Sequence, residues 1–275
     1  MNLAQLSDSH LFEPGAHENA EARIENLRAA VAAANDLAEP VVDAVIHTGD
    51  MVHTRAPGEY ALAREILERL TAPLYVIPGN RDCRESLRRH FGADGYMTGN
   101  GDEPIVYAVD DYPVRLIGFD TQSGVGHEGV QADIRKGDVD AERLDWLDRT
   151  LAERPNAPTV LFMHHPPIDI TTSQYPWQYV RREAETEIAA VLSRHKQILR
   201  IFCGHSHREF SSPICGIPVR TMPSVAVDLR LGEFTAEQED RPLITLHRFG
   251  NAGGVESEAV AAAMRPDHIG MSGAA

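Results

Sequence analysis

The sequence predicts an α/β fold, and three observations carry that prediction. Short apolar runs of strand length alternate with amphipathic stretches at helical spacing from Leu3 to about Leu246. No internal repeat or low-complexity linker divides the chain. Side chains able to bind a cation fall almost all directly after the apolar runs, and ligand-binding groups in an α/β sheet gather outside the carboxyl ends of its strands.

The elements follow in order. Residues 1–6 lack the basic region and long apolar stretch of a targeting signal and read as a first strand. Ile24, Leu27, Val31, Ala34 and Leu37 recur at helical spacing, Pro40 interrupts, and the apolar run 41–46 reads as a second strand. A helix over about 59–70 leads to a strand at 74–77. Further strands are expected at 105–109, 114–119, 159–163 and 198–203, with Leu144, Leu147 and Leu151 marking a helix between two of them. After Ser211 the pattern becomes all-β, with a hairpin around Gly216. From Asn251 onward Gly, Ala and Ser dominate, which predicts a flexible tail over 251–275 containing a short helix around 259–264. Residues 1–250 are expected to form one catalytic domain, since 275 residues can bury a single substantial core.

A formal charge of −15, from 26 basic and 41 acidic side chains, is the wrong sign for gripping a nucleic-acid backbone and argues against duplex nucleic acid as a partner. Three cysteines, Cys83, Cys203 and Cys215, are too few and too irregular for a disulfide framework, which fits a reducing, cytoplasmic setting. No stretch has the apolar length to span a bilayer, so no membrane partner is expected. A homo-oligomer is compatible with this sequence.

Asp8 and His10 follow the first strand, Asp50 the second, and Asn80 the third. His164 and His165 end the run at 159–163, while His205 and His207 follow the run at 198–203. Carboxylate, imidazole and amide oxygen together suit manganese, iron, zinc or cobalt better than calcium or a thiolate-bound ion. Two such ions about 3.5–4 Å apart can polarise phosphoryl oxygens and activate water, which makes phosphate ester hydrolysis the natural use.

The motifs Asp8-Ser9-His10, Gly49-Asp50, Gly79-Asn80-Arg81-Asp82, His164-His165-Pro166-Pro167 and Gly204-His205-Ser206-His207 resemble, in order, those of the calcineurin-like metallophosphoesterase superfamily. The resemblance implies a four-layer fold with two face-to-face β-sheets flanked by helices. It also implies a centre of two divalent or mixed-valence ions in which Asp8, His10 and His207 hold the first, Asn80, His164 and His205 the second, and Asp50 bridges both. A bridging hydroxide would attack phosphorus. Asp120-Thr121, the glycines at 126 and 129 and Leu144-Asp145-Trp146-Leu147 look most like the bacterial class III cyclic nucleotide phosphodiesterases and related glycerophosphodiesterases.

The expected substrate is therefore a small phosphodiester, a 3′,5′- or 2′,3′-cyclic nucleotide first. A glycerophosphodiesterase, a phosphomonoesterase or phosphoprotein phosphatase sharing the metal cage, and a non-catalytic scaffold are the alternatives. Arg81 departs from the family pattern, which has a histidine at that position. Arginine can supply charge and paired donors to phosphoryl oxygens, but it cannot protonate a leaving group near neutral pH. His165 is the candidate for that role or for supporting the ligands. His53 and His127 are open cases near site loops, whereas His17, His90, His195, His247 and His268 read as surface or packing residues. Tyr175, Trp177 and Tyr179, with Arg181 and Arg182, either stack a base and hold phosphate or pack a loop.

Overall fold

The computed structural model describes residues 1–37, 41–123, 135–250 and 254–264. The glycines at 126 and 129, His127 and His268 lie outside the described residues, as do Pro40 and residues 265–275.

The first sheet has the strand order β11-β10-β1-β2-β3, built from β1 (Asn2–Leu6), β2 (Ala44–His47), β3 (Leu74–Val76), β10 (Leu243–Phe249) and β11 (Val255–Ala261). Strands β1, β2 and β3 run parallel, and β10 is antiparallel to both of its neighbours, β1 and β11. The second sheet contains β4 (Val106–Val109), β5 (Arg115–Phe119), β6 (Thr159–Met163), β7 (Ile198–Cys203), β8 (Phe210–Ile214) and β9 (Ile217–Thr221), in the order β4-β5-β6-β7-β9-β8. Its central strands β5, β6, β7 and β9 are parallel, and the fully buried runs of β5 and β6 suit strands covered on both faces.

Helices α1 (Ala20–Asp36), α2 (Pro57–Leu67) and α3 (Arg84–Phe91) pack together, with α1 against β10. Helices α4 (Ala141–Glu153) and α5 (Glu183–Leu192) pair with each other and link β5, β6 and β7. Ile24, Leu27, Val31 and Ala34 form the buried stripe of α1, at the spacing that predicted the helix. Asp140 caps α4 by accepting from the Arg143 backbone N–H at 2.8 Å. The sheets meet face to face: Gln5 of β1 donates to the Cys203 carbonyl of β7 at 3.1 Å, and His247 of β10 stacks on Phe202 with centroids 3.8 Å apart. The fold is thus the predicted α/β arrangement of two mixed sheets flanked by helices.

The end of the chain differs from expectation. Residues 255–261 form β11 rather than the start of a flexible tail, and 259–261 are extended rather than helical. The alternation Val255, Ser257, Ala259 and Ala261 against Glu256, Glu258 and Val260 suits an edge strand. Beside it, β10 has no other partner on that side. Pairing to an existing edge overrode the helix-favouring alanines.

Candidate metal centre

The loops that follow the parallel strands are laced to one another by backbone bonds. Asp8 N–H donates to Gly49 O at 2.9 Å, His10 N–H to Asp50 O at 3.0 Å and Leu11 N–H to Met51 O at 3.0 Å. These loops turn immediately, and five of the seven expected ligands adopt the left-handed backbone region: Asp8, His10, Asp50, His205 and His207, with φ between 44° and 68°. Non-glycine residues enter that region at a cost, and surrounding structure must impose it. Here the lacing does so, and Ser224 adds a hydroxyl donated to Asp8 O at 2.6 Å.

The result brings the predicted side chains together in two adjoining groups. In the first, ligand atoms of Asp8, His10, Asp50 and His207 all lie within 4.8 Å of one another. His207 Nε2 is 3.1 Å from His10 Nε2 and 3.3 Å from Asp8 Oδ1, while His10 Nε2 is 3.5 Å from Asp50 Oδ2. In the second, Asn80 Oδ1 is 3.2 Å from His164 Nε2 and 3.0 Å from His205 Nδ1. Asp50 Oδ1 lies 3.6 Å from His164 Nε2, so the two oxygens of Asp50 face the two groups.

The donor set fits cations. His164 Nδ1 meets the Thr48 carbonyl at 2.7 Å and His207 Nδ1 meets the Leu229 carbonyl at 3.2 Å. A carbonyl only accepts, so each ring carries a proton on Nδ1, and a neutral ring so held turns the Nε2 lone pair into the cluster. The His164 lone pair then faces Asn80 Oδ1 and Asp50 Oδ1, acceptor against acceptor in a buried site. A cation among them resolves that conflict.

The electrostatics bear the same imprint. Burial works to raise the Asp8 carboxyl, but His207, His164 and His10 together outweigh it and Asp8 falls below the ordinary carboxylate range. Asp50 is pushed up, chiefly by burial. Burial, and then His207, hold His10 well below the usual imidazole value. Asp82 is pushed up to about 7 by burial and by the Asp50 charge; its carboxylate accepts from the backbone N–H groups of Gly79 at 2.8 Å and Met51 at 3.1 Å. It thereby clamps the loop carrying Asp50 to the loop carrying Asn80.

His165 is fully buried, and its Nδ1 lies 2.9 Å from the Thr121 hydroxyl. A ligand atom of His165 comes within 4.8 Å of those of His164 and His205, and its ring rests against His205 at 4.5 Å between centroids. Burial and then His205 and His164 depress its basicity far below the ordinary value. A neutral imidazole so placed backs the ligands and is poorly suited to donate a proton to solvent-side groups. Arg81 donates its backbone N–H to Asp50 Oδ1 at 2.7 Å. Among the described residues its guanidinium has no hydrogen-bond or ion-pair partner.

His53, an open case in the sequence, joins the site: its ring lies 5.3 Å from that of His10, between Phe12 and Arg23. His195 pairs with Asp148, His247 lies between the sheets and His90 packs near Tyr60, all outside the cluster; His17 stacks on Phe12 at its margin. Arg181 pairs with Asp138 and Glu187, and Arg182 with Asp169, so neither guanidinium is left over for phosphate. Trp177 is partly exposed with Lys136 over its ring at 4.3 Å.

Several supporting residues escaped the sequence reading. Arg23 grips Asp228 at 2.7 Å and donates to the His10 carbonyl at 3.1 Å, while Arg84 forks onto Asp120 at 2.7 and 3.2 Å. Asp82 stood inside a quoted motif, so its signal was present without an assigned role. The others bond to backbone or to distant partners and leave no local pattern.

Comparison with known proteins agrees with the geometry. The chain is 32% identical over 253 residues to "Probable glycerophosphodiester phosphodiesterase GpdQ" of Arcobacter nitrofigilis, covering 90% of this chain and 88% of that one. It is 24% identical over 239 residues to the 3′,5′-cyclic adenosine monophosphate phosphodiesterase CpdA of Escherichia coli K12, covering 84% and 78%. In fold it matches a dimetal phosphatase from Danio rerio, with a TM-score of 0.65 at 15% identity over 95% of this chain and 99% of that one. The family model described as calcineurin-like phosphoesterase matches residues 1–209, about three-quarters of the sequence, and the chain belongs to that family.

Proposed function

We propose that this protein hydrolyses a small phosphodiester with two metal ions, a cyclic nucleotide being the first substrate reading. Asp8, His10 and His207 would hold one ion, Asn80, His164 and His205 the other, and Asp50 would serve both. The observation that carries this reading is the convergence of His164 Nε2 on the oxygens of Asn80 and Asp50 in a buried site, while His164 Nδ1 is held by the Thr48 carbonyl. When bound, such ions offset the negative charge of the ester and lower the pKa of water enough to make it a nucleophile at neutral pH. The donor set is compatible with manganese, iron, zinc or cobalt.

The chain's own residues would do the rest. Arg81, held beside Asp50 by its backbone and with a free guanidinium, would orient the phosphoryl oxygens through charge-assisted bonds. It cannot release a proton, and His165 is buried and neutral. The chain therefore favours esters whose leaving groups need little protonation, such as activated aryl diesters and strained 2′,3′-cyclic phosphates, and disfavours simple alkyl monoesters. A glycerophosphodiester is the second reading, supported by the naming of the 32%-identical relative.

Three free cysteines support a cytoplasmic setting, and the net charge of −15 argues against duplex nucleic acid as a partner. No helix among the described residues is long and apolar enough to cross a membrane.

Turnover of 3′,5′- and 2′,3′-cyclic nucleotides, glycerophosphodiesters and monoesters by the manganese-loaded protein tests the reading. Hydrolysis of diesters over monoesters is expected. Failure to take up metal or to hydrolyse bis(p-nitrophenyl) phosphate would instead indicate a scaffold.

A further inference from the structure

We infer that Gln122 and Arg55 are positioning residues that hold the Asn80 loop in register, and that they set the affinity of the second metal position independently of the first. The inference rests on the two-ion reading above. It starts from the carbonyls of the tight loop 79–82. Gln122 Nε2 donates to Gly79 O and to Asp82 O, each at 2.7 Å. Arg55 Nη2 donates to Asn80 O at 2.8 Å, and Arg55 Nε donates to Arg81 O at 3.1 Å. Two side chains thus occupy four consecutive carbonyls, Gln122 the outer pair and Arg55 the inner pair. Both amide protons of Gln122 are spent on this task.

The anchorage of Gln122 explains why the loop matters. Its backbone N–H donates to Asp120 Oδ1 at 2.8 Å, and its carbonyl accepts from Arg84 at 2.8 Å and Arg143 at 3.0 Å. It is buried and follows β5 of the second sheet, whereas the loop it holds follows β3 of the first. Gln122 is therefore a strut between the ends of the two sheets. The second group needs such a strut because Asn80 comes from the first sheet while His164 and His205 come from the second. Asn80 is also its neutral oxygen donor, with no charge to draw it into place. The first group takes Asp8, His10 and Asp50 from loops of one sheet already laced together and only His207 from the second sheet, and its residues lie outside the loop 79–82, so it depends less on the strut.

Manganese binding to the intact protein and its variants separates these roles. Gln122→Glu keeps the side-chain shape but sets carboxylate oxygens against two carbonyls, and Arg55→Ala removes the exposed half of the grip. Equilibrium dialysis should find two Mn²⁺ on the parent. Each variant should keep one ion at parent affinity and bind the other about 10- to 100-fold more weakly. Electron paramagnetic resonance at one equivalent above the tight site should change from a coupled pair to isolated ions. Arg55→Lys should recover part of the affinity. Should Gln122→Glu fail to melt cooperatively, Arg55→Ala decides the matter. Variants that bind both ions as the parent does, or lose both in step, overturn the inference alone. A parent that takes up fewer than two ions overturns the two-ion reading and this inference with it.

Discussion

Asp50 is the residue on which both groups converge, because one carboxylate oxygen faces His10 and the other faces His164. Asp50→Ala should therefore reduce diester turnover to background and remove both ions, whereas His207→Ala should weaken chiefly one; bound-metal assays against manganese concentration read the difference. Arg81 is separable from the cage. Losing a charge-assisted bond worth about 1.5–3 kcal/mol, Arg81→Ala should lower kcat/KM for diesters by roughly 10- to 150-fold. Arg81→His should recover more activity on poor leaving groups than on good ones, and a series of aryl diesters of graded leaving-group pKa checks this. The candidate ligands that the structure gathers were legible in the sequence because chemically rare side chains sit at strand ends, where topology brings them together. Arg23 was not legible. It lies in the first turn of α1, where an arginine ordinarily extends into water, yet it lies buried and donates to His53 Nδ1 at 3.4 Å. Since arginine only donates, that contact requires His53 to carry its ring proton on Nε2.

Between the elements, loops do the positioning and strand edges need protection. Gly79 allows the close approach of two site loops, for a Cβ there would collide with the backbone N and carboxylate of Asp50. Gly79→Ala should thus abolish metal uptake while leaving both sheets formed, which dialysis and circular dichroism would show together. The outer edge of β3 is closed by tyrosines: Tyr96 OH accepts from Val76 N–H at 3.1 Å and Tyr107 OH donates to Val76 O at 2.7 Å. Tyr107→Phe should destabilise the protein by about 1–3 kcal/mol in urea unfolding, because it leaves a buried carbonyl unpaired. Strands β6 and β7 were legible as short, mainly apolar runs bounded by turn residues. In β11 the small residues that suggested a tail are those a solvent-side edge strand tolerates, and its partner lies immediately before it in the chain. Local composition carried no sign of that pairing.

At the scale of the molecule, the two sheets are held by apolar packing and by a buried polar link in which Gln5, joined to His247 at 3.1 Å within its own sheet, donates to the Cys203 carbonyl of the other at 3.1 Å. Ions that bind only the folded form add to this. At a hundredfold excess over Kd, each independent site contributes about 2.7 kcal/mol. Chelation should accordingly lower Tm by roughly 5–10 °C per site vacated, as differential scanning calorimetry would register. The contact between His10 and His207 spans 197 positions of the chain. During synthesis, a ribosome that has made the first two hundred residues has released Asp8, His10, Asp50, Asn80 and His164, but neither group is complete. Loading with metal is thus among the last events in the maturation of the molecule, and a prematurely terminated chain is left without the centre that would make it active.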